Sequence, residues 1–489
     1  MFDAGLVVAP VLLPFLGAAI ALSLRARPAA ATACGLATVS LLAVLSTLLF
    51  LQAQARPGAI RNVFGGWPQG IGISFSASMP GVAFVLVTAL VTLAVSIYAL
   101  ADIGPRRRRA GYDAMMLAMV GAVNGAFLTD DLFNLYVWFE LALIAALGLL
   151  TLDRRAPQID AAIRYAAFAM LAATLILVGV GMVYGITGTL HIGSAAKVLA
   201  NQPPGFATAL AAALLLGGFA LKSGLAPFHL WLPTSYHTAP ISALAAFAGL
   251  LTKMGFFALL LIFAGMFGVG RGAPGAAQLV PLFGAIAAMT MLLCVAGALA
   301  QTDMRRLLAY HVIAQVGYMM AGLALATREG VAASVFYMFH SIIVQANLFL
   351  GAGLIRHATG SWDLTRTGSM VRREPQFAIL FAVPVLSLAG IPPFSGFWAK
   401  LIVIRESLAG GSAWLGGVAL LAGFMTILSM ASFWSDACWK SAPGAVRRIP
   451  RSGLVAMGLL SSATVAIGLA PQWLWGIALQ SAQSLEAGL

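Results

Sequence analysis

Apolar runs of about 17–25 residues, each long enough to cross a hydrocarbon core as a helix, follow one another along the whole chain with short polar segments between them. The pattern predicts spans over residues 4–23, 30–52, 80–100, 111–129, 131–151, 161–186, 207–237, 240–264, 277–300, 304–326, 330–355, 376–407, 412–435 and 453–482. Segments 207–237 and 376–407 are too long for one straight span and carry prolines in mid-membrane. Each is therefore expected to be two half-helices around a break. The first run begins after an N-terminus without basic residues, so it is expected to be a retained helix rather than a signal peptide. No polar stretch is long enough to fold separately. The expectation is an all-α polytopic membrane protein of about fourteen helices, with residues 1–489 as a single membrane domain.

The two broken segments echo each other. Ala226-Pro227-Phe228-His229-Leu230-Trp231 resembles Pro392-Pro393-Phe394-Ser395-Gly396-Phe397-Trp398, with the Pro-Phe pairs 166 residues apart. Five spans separate the copies, and an odd number of spans makes two repeats antiparallel in the membrane. The division that follows is three N-terminal helices (1–100), a first repeat (111–264), an inverted second repeat (277–436) and a C-terminal helix (453–482).

Composition agrees with the pattern. The 489 residues are 61% hydrophobic and 9% charged, with mean hydropathy +0.96, where a soluble domain is roughly a quarter charged. The net charge of +13 would suit nucleic acid, but its distribution suits membrane orientation. With the N-terminus outside, inward loops carry 18 of the 28 Lys and Arg, outward segments 6, and 4 lie within or at the edge of spans: Arg164, Lys222, Lys253 and Lys400. That is the positive-inside bias; it puts both termini on the outer side and excludes nucleic acid as a partner. The run Arg106–Arg109 reads as a topology anchor. Cys34, Cys294 and Cys438 are too far apart to suggest a disulfide or metal site. No phosphate loop, dinucleotide fingerprint or nucleophile triad is present, so no cofactor is expected and the chain is expected not to be an enzyme.

Ionisable residues inside the spans carry the candidate chemistry. Glu140 lies nine residues beyond Asp131, about 14 Å along a helix and so near the bilayer centre, where an unpartnered carboxylate costs several kcal/mol. Lys222 precedes the break of the seventh span, Lys253 sits halfway along the eighth, and Lys400 follows the break of the twelfth, as its counterpart. Three lysines with one central acid cannot all be paired. A lysine beside Glu140 is poised to lose or gain a proton when that contact opens. His311 and His340 can donate and accept and are expected to bridge the two halves. Tyr310, Gln315, Ser341, Gln345 and Asn347 add polar lining that would order water. His229 and His237 flank the inner end of the seventh span, His191 and His357 read as loop residues, and Arg164 lies near an inner interface or beside Glu140.

At these residues the chain resembles the antiporter-like family shared by Mrp-type cation/proton antiporters and the proton-pumping subunits of respiratory complex I. The resemblance covers residues 60–436. It rests on Gly66-Trp67-Pro68, Asp131-Leu-Phe-Asn-Leu-Tyr-Val-Trp-Phe-Glu140, Lys222-Ser-Gly-Leu-Ala-Pro-Phe-His-Leu-Trp-Leu-Pro233, Leu251-Thr-Lys253, Arg306-Leu-Leu-Ala-Tyr310 and Gly390-Ile-Pro-Pro-Phe-Ser-Gly-Phe-Trp-Ala-Lys400. The stretches around Glu140 and Lys253 look most like the MrpD-type branch. The resemblance implies that Glu140 pairs Lys222 and that protons pass by Lys253, the central histidines and Lys400. It implies exchange of protons for Na+ or K+ in a bacterial cell membrane, within a hetero-oligomer containing Mrp A, B, C, E, F and G type partners. The other branch implies a pump subunit of an NADH:quinone oxidoreductase or related redox complex. Relatives often carry a second histidine and a later lysine in the eleventh span, where this chain has Ser341 and Gln345. A continuous relay there needs water, unless His340 and His311 suffice.

Overall fold

The computed structural model describes residues 2–56, 60–63, 72–202, 205–269, 278–441 and 447–487. The Gly66-Trp67-Pro68 motif and Arg271 lie outside the described residues. Among the described residues the chain is a helical bundle with two short antiparallel strands, β1 (Ile60–Val63) and β2 (Ser74–Ala77). Its first helices are α1 (Phe2–Ser23), α2 (Pro28–Ala55), α3 (Met79–Asp102), the single turn α4 (Pro105–Arg109), α5 (Tyr112–Leu128), α6 (Leu132–Leu150), α7 (Ala156–Thr187) and the short α8 (Ile192–Ala200). Then come α9 (Phe206–Ser223), α10 (Trp231–Tyr236), α11 (Ile241–Met266), α12 (Val280–Leu299), α13 (Met304–Ala324) and α14 (Arg328–Thr359). The last are the short α15 (Met370–Arg373), α16 (Pro375–Ala389), α17 (Ser395–Ala409), α18 (Ala413–Trp439), α19 (Arg451–Leu469) and α20 (Pro471–Glu486).

Among the described residues, twelve helices are long and apolar enough to cross a membrane, counting α9 and α10 as one, and α5 and α16 are shorter apolar helices. This is a multi-pass membrane protein. Peripheral helices turn leucine, isoleucine and methionine outward, as Leu12, Leu16 and Ile20 do on α1 and Ile163 and Met170 on α7. By contrast, the apolar stretches of α11 and α14 are enclosed by protein on every side. A helix that is apolar all round belongs in the middle of a bundle, and these two carry Lys253, His340, Ser341 and Gln345 there.

Both expected breaks are present, and both are made by glycine rather than by the prolines. Gly224 (φ 72°) ends α9 and Gly390 (φ 89°) ends α16 in the left-handed conformation that glycine adopts without strain. At the first, Gly224 N–H donates to Leu221 O (3.2 Å) and Leu225 N–H to Ala220 O (2.9 Å). At the second, Gly390 N–H donates to Ser387 O and Ile391 N–H to Leu386 O, both at 3.0 Å. This is the same Schellman cap twice, and the glycines have the same 166-residue separation as the Pro-Phe pairs. The peptide bonds Ala226-Pro227 and Pro392-Pro393 are both cis. The final apolar segment departs from expectation. Instead of one span it is α19 and α20, interrupted at Ala470 (φ −128°, ψ 60°) because Pro471 starts the second helix without an N–H to give the first.

Candidate functional site

Asp131 caps the start of α6 by accepting from Asn134 N–H (2.7 Å), which sets the rotation of the helix that carries Glu140. Lys222 lies on the last turn of α9 and donates to Glu140 Oε1 at 3.1 Å. The ammonium is 5.8 Å from the Phe139 ring centre. Side-chain exposures of 8% for Lys222 and 29% for Glu140 put the lysine inside the bundle and the carboxylate at its rim. Tyr165 on α7 is stacked on Trp231 with ring centres 4.9 Å apart.

Lys253 is fully buried and donates to the Ala248 carbonyl at 2.7 Å. Residues 247–251 form a π-turn, whose shifted hydrogen bonding leaves carbonyls open to such a donor. The helix runs close under the first break: a side chain at Gly255 would meet Ser223 N at 2.9 Å and Lys222 C at 3.0 Å. Lys400 is on α17, but its ammonium turns back onto the open end of α16, donating to Leu388 O (2.9 Å) and Ala389 O (3.0 Å). The negative end of a helix dipole stands in for a carboxylate. Among the described residues no carboxylate pairs with Lys253 or Lys400. The two broken-helix lysines are therefore not positional counterparts, since Lys222 precedes its glycine and Lys400 follows its own. By the 166-residue spacing the counterpart of Lys222 is Leu388, whose carbonyl is one of the two that hold Lys400.

His340 joins α14 to the second break. Its Nδ1 is 2.9 Å from Ser395 Oγ, which is 3.1 Å from Ser387 Oγ. His311 Nε2 is 2.8 Å from Ser429 Oγ. Tyr337 donates to Gln315 Oε1 (2.5 Å) and its ring lies edge-on to His340. Other buried polar atoms here have no protein partner among the described residues: His340 Nε2, His311 Nδ1, Gln315 Nε2, Ser341 Oγ and both amide atoms of Gln345. Asn347 instead donates to Ser461 Oγ at 2.9 Å. Tyr310 is only partly buried.

Several other side chains lie elsewhere than the sequence suggested. His191 is not a free loop residue. It caps α8, accepting from Ser194 N–H, and its Nε2 is 3.4 Å from Asp130, a fully buried carboxylate. Ser74 donates to Asp130, and Arg61 is 3.7 Å away. Burial would raise the Asp130 carboxyl, but these hydrogen bonds and the Arg61 charge hold it below the ordinary carboxylate value. Arg164 pairs with Asp160 at 2.9 Å on the exposed face of α7. The run Arg106–Arg109 is more than an anchor: Arg108 is buried and pairs with Asp113 at 2.7 Å. Arg107 forms a bidentate pair with Asp153 (2.9 and 2.6 Å), which holds that carboxyl below its ordinary value. His229 is buried in a turn after the first break, and His237 Nδ1 lies 3.1 Å from Pro233 O. His357 is in the last turn of α14. Among the described residues, no group of three or more His, Cys, Asp and Glu side chains is placed to hold a metal ion.

The family model described as NADH:quinone oxidoreductase/Mrp antiporter, TM, matches residues 129–426, which include Glu140, all three lysines and both central histidines. A Na(+)/H(+) antiporter subunit of Alkalihalophilus pseudofirmus, of the D type, is 35% identical over 437 residues, covering 89% of this chain and 87% of that one. In the structure of the Mrp complex from Dietzia sp. DQ12-45-1b, one chain superposes with a TM-score of 0.91 at 28% identity, covering 99% of this chain and 98% of that one. A chain of the membrane-bound sulfane sulfur reductase, an archaeal respiratory membrane complex, also gives a TM-score of 0.91, at 24% identity over 99% and 97%. That last likeness is one of fold.

Proposed function

The chain belongs to the NADH:quinone oxidoreductase/Mrp antiporter transmembrane family, and we propose from that premise how it moves protons. It is the proton-translocating subunit of a monovalent cation/proton antiporter, working inside a hetero-oligomeric Mrp-type complex in a bacterial inner membrane. It is a transporter subunit rather than an enzyme. Identity is higher to the antiporter subunit (35%) than to the chain of the sulfur reductase complex (24%), so the antiporter reading is preferred to the redox-pump one.

The Glu140–Lys222 contact carries the mechanism. Paired at 3.1 Å, the two charges compensate each other. When the contact opens, the ammonium stands in an apolar site without its counter-charge, at a cost of several kcal/mol. That cost drives the proton onward. The receiving groups run inward through Lys253, His340, Lys400 and His311, with water as the expected partner for the buried amide and hydroxyl groups that have no protein partner among the described residues. Ser341 and Gln345 fall among those groups, so the stretch where the relay thins is polar and suited to water. Two inverted units, 111–264 and 277–436, organise this path within a fourteen-helix topology that has both termini outside. Support for the repeat comes from the identical caps at Gly224 and Gly390.

In vesicles containing the assembled complex, Glu140→Ala and Lys222→Ala are expected to abolish cation-dependent proton exchange while assembly persists. Normal exchange by either correctly assembled variant would falsify the switch. Comparing Na+, K+ and Li+ in wild type and Glu140→Ala identifies the exchanged cation.

A further inference from the structure

The face that carries the basic loops has a cavity of about 600 Å³ that the proton path does not use. Its wall is drawn from the ends of α3, α14 and the turns around α4, α7 and α11. It presents four guanidinium groups, Arg107, Arg155, Arg305 and Arg356, against the two carboxylates of Asp102 and Asp153. The acids are largely engaged. Asp153 is taken by Arg107, and Asp102 accepts from the Ser242 hydroxyl (2.8 Å) and backbone N–H (3.1 Å). Arg305 is clamped by Asp303, donates to His237 O at 2.7 Å, and lies 4.6 Å above the Trp362 ring. Arg356 lies 6.0 Å from the same ring. Neither Arg356 nor Arg155 makes a side-chain hydrogen bond or ion pair among the described residues.

We propose that this cavity binds a phosphate-bearing anion, with Arg155 and Arg356 as the groups that engage it and Arg107, Arg305 and Trp362 as the frame that holds the wall in shape. The guanidinium fork matches two phosphate oxygens at once. With Asp303 counted beside Asp102 and Asp153, the four guanidinium groups leave one positive charge in excess, which disfavours Na+, K+ and hydronium and favours anions. The volume suits a phosphate headgroup or a small free phosphate, and basic pockets between membrane helices are a recurrent seat for anionic headgroups. The site stands independently of the proton path, since none of its residues belongs to that path.

Two arms separate the sources of the phosphate. In one, the purified complex in phosphatidylcholine nanodiscs is titrated with inorganic phosphate by equilibrium dialysis. In the other, complex extracted from mixed phosphatidylglycerol and phosphatidylcholine vesicles is examined by native mass spectrometry for the lipid it retains. Saturable phosphate binding points to a soluble anion, and selective retention of phosphatidylglycerol points to a lipid. Either signal is expected to weaken by at least about tenfold in Arg155→Gln/Arg356→Gln, from loss of charge-assisted hydrogen bonds. Arg155→Lys/Arg356→Lys should recover part of it. Absence of both signals in the wild-type complex, or a signal unchanged in the assembled double variant, overturns the proposal.

Discussion

Lys222 faces a carboxylate at 3.1 Å, and Lys400 faces two carbonyl oxygens at 2.9 and 3.0 Å. The difference separates two tasks, holding a charge and passing a proton. Carbonyls stabilise an ammonium but cannot take its proton, so any proton leaving Lys400 must go to a titratable neighbour or to water. Lys400→Arg keeps a cation in reach of the same carbonyls but cannot release a proton. It is expected to assemble and to lose cation-dependent proton exchange, as is Lys400→Ala, measured in the same vesicles. Full exchange by Lys400→Ala would confine the essential path to the first half of the chain. Glu140, Lys222, Lys253 and Lys400 were legible in the sequence because each interrupts an apolar run that has no other reason to contain it. Asp130 and His191 were not. Asp130 lies between two spans beside Asp131, where an acid usually meets water, and its histidine partner, the cap of α8, lies 61 residues later in the chain.

Proline marked the broken helices, yet the chain turns at glycine three residues earlier. The distinction matters because the two glycines have different neighbours. A Cβ at Gly224 would lie 3.4 Å from Leu232 Cδ1 and 3.7 Å from Ile313 Cγ1, which is ordinary contact. A Cβ at Gly390 would lie 3.0 Å from Lys400 Cδ and 3.4 Å from its Nζ. Alanine at either site is strained in the left-handed conformation by about 1–2 kcal/mol. Both variants should therefore lose a similar amount of thermal stability. Gly390→Ala should in addition displace the Lys400 ammonium and depress proton exchange well beyond Gly224→Ala. Equal exchange in the two, at equal stability, would separate the second cap from transport. The split of the last segment was less visible, because the apolar pattern runs on through Pro471 and a proline is acceptable at the first position of a new helix.

For the molecule as a whole, hydropathy made the membrane class and most spans legible, and the basic residues supplied an orientation that can be tested directly. Arg109 and Lys197 are both on the surface of the bundle and lie on opposite sides in that orientation. In intact cells a membrane-impermeant maleimide should label Lys197→Cys and spare Arg109→Cys, with the unmodified chain as the control for Cys34, Cys294 and Cys438. The reverse pattern would invert the topology. What hydropathy could not show is which helices meet lipid, since a window of apolar residues reads alike at the periphery and in the centre. That ambiguity has a consequence for biogenesis. Helix α11 ends up enclosed on every side, but it leaves the ribosome before α14, the third helix downstream, has been made. During that interval Lys253 faces lipid or the insertion machinery, at a cost of roughly 2.5–3.5 kcal/mol on insertion scales. Its apolar neighbours offset this well enough for entry, but not for indefinite residence. Truncating the chain before α14 should therefore leave α11 exposed to membrane quality-control proteases, with a shortened half-life in pulse-chase, and Lys253→Leu in the same truncation should lengthen it.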